Sequence, residues 1–261
     1  MPRFVDELPS PFGDEFDDEV DGRLPAVFLD YDGTLAPIVS HPGDARLAES
    51  TRTALTALAG RVPVAIVSGR DRDDVADMVG LEGIHYAGSH GFDISGPDGL
   101  REERGGDYRD SVSGAAGELK DRLGHIDGVW VEGKKYAAAV HFRQASPDAA
   151  EEIHRAVRHV ASRHDDLRVS GGKKIFELRP DLDWDKGRAV VWLLGVMGLD
   201  RPDVVPVYLG DDETDEDVFR AFEEREGIGI VVGTDHRLTL ADYSLTGPDE
   251  VTDFLNHLMR L

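Results

Sequence analysis

Two carboxylates, Asp30 and Asp32, follow directly on the apolar run Ala26–Leu29. Paired carboxylates at the edge of an apolar core lose hydration, which costs free energy unless a cation or hydrogen-bond donors compensate. Ligand sites of open α/β sheets lie at the carboxyl ends of strands, so this pair is suited to magnesium and a phosphoryl group. A plain Asp-Gly-Thr turn with Thr34 as a cap explains the same residues, and this stretch alone leaves both interpretations open.

A second acidic cluster, residues 210–217, follows another apolar run, Val204–Leu209. Thr214 and the acids after it suit the start of a helix, where carboxylates favour the positive end of the helix dipole. Capping does not explain Asp211 and Asp212, which would repel each other at the strand end unless a divalent cation lies among them. Together, the two clusters favour a metal site over two turns.

The elements that must position these acids alternate from Leu24 onward between apolar runs and amphipathic stretches, which is typical of βαβ units and a mostly parallel sheet. The predicted strands cover residues 26–30, 62–67, 84–87, 204–209 and 229–232, and the predicted helices cover residues 44–59, 185–197, a stretch from 214, and 248–259. The predicted fold class is α/β, with a doubly wound, mostly parallel sheet.

Residues 104–181 interrupt this pattern with the order α-β-β-α-β-β, which favours a smaller inserted α+β domain. Its predicted helices are 111–123 and 148–164, and its predicted strands are 129–131, 137–142, 167–170 and 175–178. The core is then predicted to cover residues 24–103 and 182–261. Residues 1–23 contain eight acids among prolines and glycines without clear periodicity, so we expect a solvated, disordered tail.

The net charge of −23 and the absence of cysteine exclude several classes of protein. The negative charge would repel nucleic acid and anionic lipid, and no basic patch stands out. Without cysteine a metal would have oxygen or histidine ligands, which favours magnesium. No apolar run approaches the about eighteen residues of a membrane span, and the order of a secretory signal is missing. We expect a cytoplasmic monomer that binds a small molecule and neither nucleic acid nor membrane.

Four ordered motifs resemble those of the haloacid dehalogenase superfamily of phosphatases, namely Asp30–Thr34, Ser68–Arg70, Lys186 and Gly210–Asp215. Within that superfamily, further stretches resemble the trehalose-6-phosphate phosphatases, namely Gly88–Gly91, Glu132–Tyr136, Gly172–Pro180 and the Gly-Asp-Asp-Glu-Thr-Asp-Glu sequence. The likeness spans nearly the whole chain after residue 23. It depends on the motifs together, since each one alone is weak.

This resemblance implies that trehalose 6-phosphate is hydrolysed through an aspartyl phosphate formed on Asp30. The side chains of Asp30 and Asp211 and the backbone carbonyl of Asp32 would hold Mg²⁺. The Asp32 carboxyl group would stay free to protonate the departing sugar oxygen and later to take a proton from water.

The same resemblance implies that Ser68 donates a hydrogen bond to a phosphoryl oxygen and that Lys186 places positive charge against the developing negative charge. Asp215 would orient Lys186 or a metal-bound water, and Asp212 is a candidate supporting residue. In isolation, Ser68 also suits a turn and Lys186 a surface position near a helix start.

The insert would be a mobile cap that closes over the core and recognises sugar hydroxyls. Candidate substrate-binding residues besides Asp30 and Asp32 are Gly33, Arg70 and His90 in the core and Glu132, Lys134, Arg143, Lys173 and Glu177 in the insert. Carboxylate and ammonium groups pair well with hydroxyls, but each of these charges on the insert also suits an exposed strand position.

Two alternatives differ from this reading of the function. One is a phosphatase for another sugar phosphate, such as a sucrose phosphate or a mannosylglycerate precursor. The other is a sugar-phosphate sensor without catalysis. The sensor is disfavoured because every residue of the chemical motifs is present, namely Asp30, Asp32, Ser68, Lys186 and Asp211.

Overall fold

The structure is a computed structural model that describes residues 1–39, 42–172 and 174–261. In chain order, its first elements are β1 (Arg3–Phe4), α1 (Asp14–Val20), β2 (Leu24–Leu29), α2 (Glu49–Ala59), β3 (Val64–Val67), α3 (Arg72–Val79), β4 (His85–Gly88), β5 (Asp93–Ser95) and β6 (Arg101–Glu103). These are followed by α4 (Arg109–Leu123), β7 (Trp130–Gly133), β8 (Ala138–His141), α5 (Ala150–Ala161), β9 (Leu167–Gly172) and β10 (Ile175–Pro180). The last elements are α6 (Lys186–Val196), β11 (Val204–Gly210), α7 (Glu216–Glu223), β12 (Ile228–Val232), β13 (Leu238–Thr239), β14 (Tyr243–Leu245) and α8 (Pro248–Leu258).

The chain divides into two compact units. The core unit comprises Met1–Glu102 and Trp184–Leu261, and the inserted unit comprises Glu103–Asp183. No helix in the described ranges is long and apolar enough to cross a membrane.

A sheet of eight strands runs through the described part of the core unit in the order β14-β12-β11-β2-β3-β4-β5-β6. The pairs from β14 to β4 are parallel, and β5 runs antiparallel to β4. The predicted mostly parallel α/β sheet is therefore confirmed. Because parallel strands end at a common edge, the residues that follow β2, β3, β4 and β11 lie along one side of the sheet.

The central strand β2 shows why its sequence reads as a continuous apolar run. Val27 and Leu29 belong to the apolar layer on one face of the sheet, and Ala26 and Phe28 belong to the layer on the other face. A strand that is buried on both faces has no solvent side on which polar residues could alternate. The two layers pack against β2 from both sides and so position the backbone that leads into Asp30.

The prediction of a disordered tail at residues 1–23 is wrong. Phe16 is fully buried and packs edge-on against Phe254 of α8, with ring centroids 5.1 Å apart. The Asp17 carboxylate lies 2.7 Å from the His257 imidazole, and the Tyr243 hydroxyl donates to Glu19 at 3.1 Å. The many acids are typical of a disordered tail, but they are equally suited to the solvent face of a short amphipathic helix. One aromatic residue, Phe16, anchors the other face of that helix.

Replacing Phe16 by leucine should lower the free energy of unfolding by about 1 kcal/mol, because a buried ring is exchanged for a smaller side chain of different shape. Phe12 offers a comparison in the same segment, since its ring also meets Phe254 edge-on but is 40% exposed, and Phe12→Leu should lower the same quantity by less than Phe16→Leu does. Urea denaturation measures both variants. An unchanged free energy of unfolding in Phe16→Leu would mean that this segment is not docked.

The inserted unit contains an antiparallel sheet in the order β7-β8-β10-β9 among its described residues. Helices α4 and α5 cover one face, where Leu119 and Val157 pack with Val140 and Leu178. Neighbouring residues along β7 alternate between this core and the opposite face. Glu132 lies on the opposite face, which is the face that carries the charged residues of β7 and β10.

Candidate active site

The carboxyl ends of four neighbouring strands bring together residues that are distant in sequence. Asp30 follows β2, Ser68 follows β3, His90 follows β4 closely, and Asp211 follows β11. Since β11, β2, β3 and β4 are adjacent in the sheet, these residues line one edge. The structure therefore assembles the polar groups that the sequence placed at separate strand ends.

A buried ion network lies at the centre of this edge. The Lys186 ammonium donates to Asp30 Oδ1 and to Asp215 Oδ1, each at 2.8 Å. All three side chains are almost inaccessible, with exposures of 2%, 6% and 0% for Lys186, Asp30 and Asp215. Lys186 is the first residue of α6, whose N-terminus is capped by the Asp185 carboxylate. The helix start thus carries the ammonium into contact with both acids.

Asp215 is a structural centre of the network, because both of its oxygens accept two hydrogen bonds. Oδ1 accepts from Lys186 and from the Tyr208 hydroxyl. Oδ2 accepts from the backbone N–H groups of Asp211 and Asp212, at 2.8 and 2.9 Å. That Asp215 orients Lys186 or a metal-bound water stays a prediction. With its acceptor positions used inside the protein, Asp215 is better suited to fixing the loop than to binding a ligand.

The charges at this edge do not balance within the protein alone. Burial, followed by the Asp215 and Asp212 carboxylates, raises the pKa of Asp211 to about 8. Burial also raises the pKa of Asp30, although Lys186 opposes that shift. For Lys186 itself burial acts against the charged form, but Asp215 and Asp30 outweigh it and raise its pKa. One ammonium is therefore shared among more carboxylates than it can neutralise.

A divalent cation fits this arrangement. Asp30, Asp211 and Asp215 each offer a carboxylate oxygen, and these oxygens lie within 4.8 Å of one another. Hard oxygen donors of this kind suit Mg²⁺. Because Asp215 is already saturated, Asp30 and Asp211 are the two side chains available to such an ion. The contribution of the Asp32 carbonyl stays a prediction.

Gly33 has a role that its position directly after Asp32 did not reveal. Its φ of +86° lies in the left-handed region, and a β-carbon added to it would lie 2.1 Å from Asp211 Oδ2. The absence of a side chain is what allows the Asp211 carboxylate to approach the β2 loop. Close backbone approach and positive φ are the two conditions that call for glycine.

Gly33→Ala should lower the free energy of unfolding by more than Gly22→Ala does. Gly22 is a matched control, since its φ is +68° but no atom lies within 4 Å of an added β-carbon. The control should lose about 1 to 2 kcal/mol from backbone strain alone, and Gly33→Ala should lose about 1 kcal/mol more because Asp211 must move. Equal losses in urea denaturation would contradict the close approach.

The prediction that Asp32 keeps its carboxyl group free is wrong for this structure. Arg70 Nε and Nη2 donate to the two Asp32 oxygens, each at 2.6 Å. Asp32 and Arg70 each lie three residues beyond the end of their strands, β2 and β3, which are neighbours in the sheet. Strand pairing therefore places an arginine opposite this acid. A forked guanidinium matches a carboxylate in two parallel hydrogen bonds.

Arg70 is also packed against Tyr31, with its guanidinium carbon 5.4 Å from the ring centroid. Burial acts against the Arg70 cation, but the Asp32 carboxylate outweighs burial and raises the pKa of Arg70. The predicted role of Arg70 in substrate binding stays a prediction. Proton transfer by Asp32 would require this ion pair to open.

Ser68 and His90 lie side by side at the ends of β3 and β4. Ser68 is 1% exposed, and its hydroxyl oxygen accepts the Arg70 backbone N–H at 3.2 Å. The His90 ring lies so close to Gly69 that a β-carbon added to Gly69 would be 2.8 Å from His90 Cε1.

Asp212 forms hydrogen bonds within its own turn. Its carboxylate accepts from the N–H and the hydroxyl of Thr214, at 2.8 and 2.7 Å.

The inserted unit brings three of its five candidate residues into contact with a polar side-chain partner. Lys134 Nζ lies 2.9 Å from Glu177 Oε1, and Glu132 lies 3.1 Å from the His141 imidazole. The His141 hydrogen bond outweighs burial and lowers the pKa of Glu132. Arg143 is exposed, two residues beyond the end of β8. Lys173 lies outside the described residues.

Sequence reasoning missed several residues that support the site. Tyr208 is fully buried in β11 and donates to Asp215, and its hydroxyl within an otherwise apolar strand was the available signal. Arg237 binds the Asp211 carbonyl at 2.9 Å and the Glu216 carboxylate at 2.6 Å. Nothing in the local sequence around Arg237 indicates this contact, because Asp211 lies 26 residues earlier in the chain.

The chain shares this fold, a mostly parallel sheet interrupted by an inserted unit, with solved proteins of the haloacid dehalogenase class. A haloacid dehalogenase-like hydrolase from Bacteroides thetaiotaomicron shares the fold, with a TM-score of 0.63 at 15% identity over 90% of this chain and all of that chain. The C-terminal domain of C. albicans trehalose-6-phosphate phosphatase shares it with a TM-score of 0.80 at 22% identity, over 97% of this chain and 98% of that one.

The family model named trehalose-phosphatase matches residues 28–249, and the chain belongs to that family. The trehalose-phosphate phosphatase of Mycobacterium avium (strain 104) is 45% identical over 250 residues, which cover 92% of this chain. The match covers 63% of the M. avium protein. The chain therefore spans less than two thirds of the length of that curated relative.

Proposed function

We propose that the chain hydrolyses trehalose 6-phosphate to trehalose and inorganic phosphate, as a step of trehalose biosynthesis. The observation that carries this proposal is the buried contact of Asp30 with Lys186, 2.8 Å apart, at the strand end where the family match begins. A nearly buried carboxylate that is held in place by an ammonium is suited to a nucleophile, whereas an acid that only forms a turn would be expected at the surface. Membership of the trehalose-phosphatase family supports the choice of substrate.

In the first step, an Asp30 carboxylate oxygen forms a bond to phosphorus while the bond from phosphorus to the sugar oxygen breaks. The released sugar oxygen takes up one proton. In the second step, a water oxygen attacks phosphorus, loses a proton, and displaces the Asp30 carboxylate, which releases phosphate and restores the enzyme. Asp32 would supply the first proton and accept the second, once its ion pair with Arg70 has opened.

Lys186 and Ser68 would bind the nonbridging phosphoryl oxygens. The Lys186 ammonium is held by Asp30 and Asp215, so it is already oriented before the phosphoryl group arrives. Ser68 accepts a hydrogen bond from the Arg70 N–H, which leaves its hydroxyl proton for a phosphoryl oxygen. Such prearranged donors stabilise charge that develops in the transition state.

Asp30 and Asp211, with the Asp32 carbonyl, would hold Mg²⁺. When bound, this ion would supply positive charge against the carboxylates and the phosphoryl oxygens. The raised pKa of Asp211, about 8, supports this assignment, because it reflects first the burial of this carboxylate and then the nearby negative charge of Asp215 and Asp212, both of which a bound cation would offset.

We assign sugar recognition to the inserted unit, through Glu132, Lys134, Arg143, Lys173 and Glu177. The pairing of Lys134 with Glu177 supports this assignment, since opposed charged groups on one face can donate to and accept from adjacent hydroxyls. In the core unit, Gly33, Arg70 and His90 remain candidates for substrate contact. The enzyme would act in the cytoplasm as a monomer.

The test is phosphate release from a panel of sugar phosphates with and without magnesium. Trehalose 6-phosphate should have the highest kcat/KM, above glucose 6-phosphate, a sucrose phosphate and a mannosylglycerate precursor. Adding EDTA should abolish release and excess Mg²⁺ should restore it. A preference for glucose 6-phosphate would refute the substrate, and turnover that is insensitive to EDTA would refute the metal. Binding without turnover of any ester would favour the sensor instead.

A further inference from the structure

Three successive residues after β4 adopt a left-handed backbone, and we call them the Ser89–Gly91 turn. Their φ angles are 50° for Ser89, 57° for His90 and 88° for Gly91. Only Gly91 lacks a β-carbon, so two residues of the turn are in a conformation that side chains disfavour. Strain of this kind persists only where surrounding contacts hold the backbone, and it concentrates at functional sites.

One side of the turn is bound to the loop that follows β3. The Ser89 N–H donates to the Arg70 carbonyl at 2.6 Å, and the His90 N–H donates to the Ser68 carbonyl at 2.8 Å. The Ser89 hydroxyl also donates to Asp71 Oδ1 at 2.8 Å. The backbone of Ser68, whose hydroxyl is a candidate phosphoryl ligand, is therefore fastened to the turn.

The other side of the turn is bound to the segment that leads into α6. The Trp184 indole N–H donates to the Gly91 carbonyl at 2.9 Å. The Gly91 α-carbon lies against α6 so closely that an added β-carbon would be 2.3 Å from Ala189 Cβ. Trp184 is the first residue of the core unit after the inserted unit, and Lys186 follows two residues later. The turn is thus a bridge between Ser68 and the helix that carries Lys186.

We propose that Trp184 is a positioning residue whose indole N–H, acting through the Ser89–Gly91 turn, fixes Ser68 relative to Lys186. Both groups must meet the same phosphoryl group, and a displacement of about 1 Å can lower the rate about 100-fold. We call this arrangement, in which Trp184 holds the Ser89–Gly91 turn and the turn holds Ser68, the clamp. It consists of hydrogen bonds and close contacts within the core unit. Its kinetic consequence rests on the proposed function.

Trp192 provides a matched control. Both tryptophans are partly buried and pack against the same apolar layer of the core unit, and the Trp184 indole donates to the turn. Phenylalanine at either position keeps an aromatic ring and removes the indole N–H. A role in packing alone predicts similar effects at the two positions, whereas a role in positioning predicts an effect at Trp184.

The kinetic experiment compares Trp184→Phe, Trp192→Phe and the wild type on trehalose 6-phosphate and on p-nitrophenyl phosphate, well below the melting temperature of each. Trp184→Phe should lower kcat about 10- to 100-fold on both esters, with KM changed less than about threefold. Trp192→Phe should change kcat less than about threefold. An unchanged kcat in Trp184→Phe would overturn the proposal, and so would a loss confined to trehalose 6-phosphate, since that indicates a contact with the sugar.

Hydrogen exchange tests the clamp without depending on turnover. Peptides that contain residues 88–92 should exchange about tenfold faster or more in Trp184→Phe than in the wild type, and should be unchanged in Trp192→Phe. Unaltered exchange in Trp184→Phe would overturn the clamp even where activity falls. If Trp184→Phe does not fold, hydrogen exchange of the wild type is the test: the clamp requires the amides of Ser89 and His90 to exchange slowly although they lie in a turn, and fast exchange would overturn it.

The substrate and the positioning role can be separated. A wild type active on p-nitrophenyl phosphate but not on trehalose 6-phosphate would refute the substrate and leave the positioning test intact.

Discussion

Asp30→Asn should lower the rate of phosphate release roughly 10³-fold or more. An amide oxygen is a far weaker nucleophile than a carboxylate oxygen and cannot form the covalent intermediate. The folded structure should survive, because the asparagine carbonyl can still accept the hydrogen bond from Lys186 that Asp30 accepts at 2.8 Å. Steady-state phosphate release measures the effect, and a thermal melt confirms that the variant is folded.

Asp242→Asn is a suitable control for this substitution. The Asp242 carboxylate accepts a hydrogen bond from Gly229 at 2.9 Å, next to the first residue of β12 and therefore at the opposite edge of the sheet from Asp30. This control should retain turnover within about twofold of the wild type. Substantial turnover in Asp30→Asn would mean that phosphorus is attacked by water directly, with Asp30 only a metal ligand.

Asp215→Asn should lower the free energy of unfolding by about 3 to 5 kcal/mol, the typical cost of breaking a buried ionic network. The Asp215 oxygens accept four hydrogen bonds from Lys186, Tyr208 and two backbone N–H groups. An amide nitrogen cannot accept a hydrogen bond, so in either orientation of the asparagine it faces donors. Urea denaturation measures the loss.

Asp217→Asn is the matched control for the stability measurement. Its ion pair with Arg220 spans 3.1 Å on the surface, where the arginine is 62% exposed, and such pairs contribute up to about 1 kcal/mol. A loss below about 1 kcal/mol in Asp215→Asn would show that relief of repulsion among Asp30, Asp211 and Asp215 compensates for the missing hydrogen bonds. The site would then be held by packing around it rather than by its own ion network.

The position of the site could be predicted from the sequence for a physical reason. Asp30 and Asp211 each end an apolar run, and apolar runs that are buried on both faces are the inner strands of a parallel sheet. Their carboxyl ends share an edge, so acids at two such ends must be neighbours. Lys186 could be predicted as a site residue from a different argument. A lysine at the start of a helix opposes the helix dipole, so its position there requires another explanation.

The remaining parts of the site depend on contacts that no local pattern encodes. Arg70 reaches Asp32 because β2 and β3 pair in a particular register, and the sequence alone does not specify that register. Helix α3 was not predicted, since four of its eight residues are charged and only Val75 and Val79 are buried. Likewise, the docking of α1 depends on Phe16 finding Phe254 at the other end of the chain.

The docking of α1 also constrains how the molecule can form. Asp17 and His257 are separated by 240 positions in the chain, and β1 pairs with β13, which is equally remote in sequence. During synthesis, therefore, the N-terminal segment leaves the ribosome long before the surface that covers Phe16 exists. Contacts of such long range slow folding and leave apolar groups open to association with other chains in the meantime. For most of its synthesis, this chain must keep Phe16 without Tyr243 and Phe254, the two aromatic residues that pack against it.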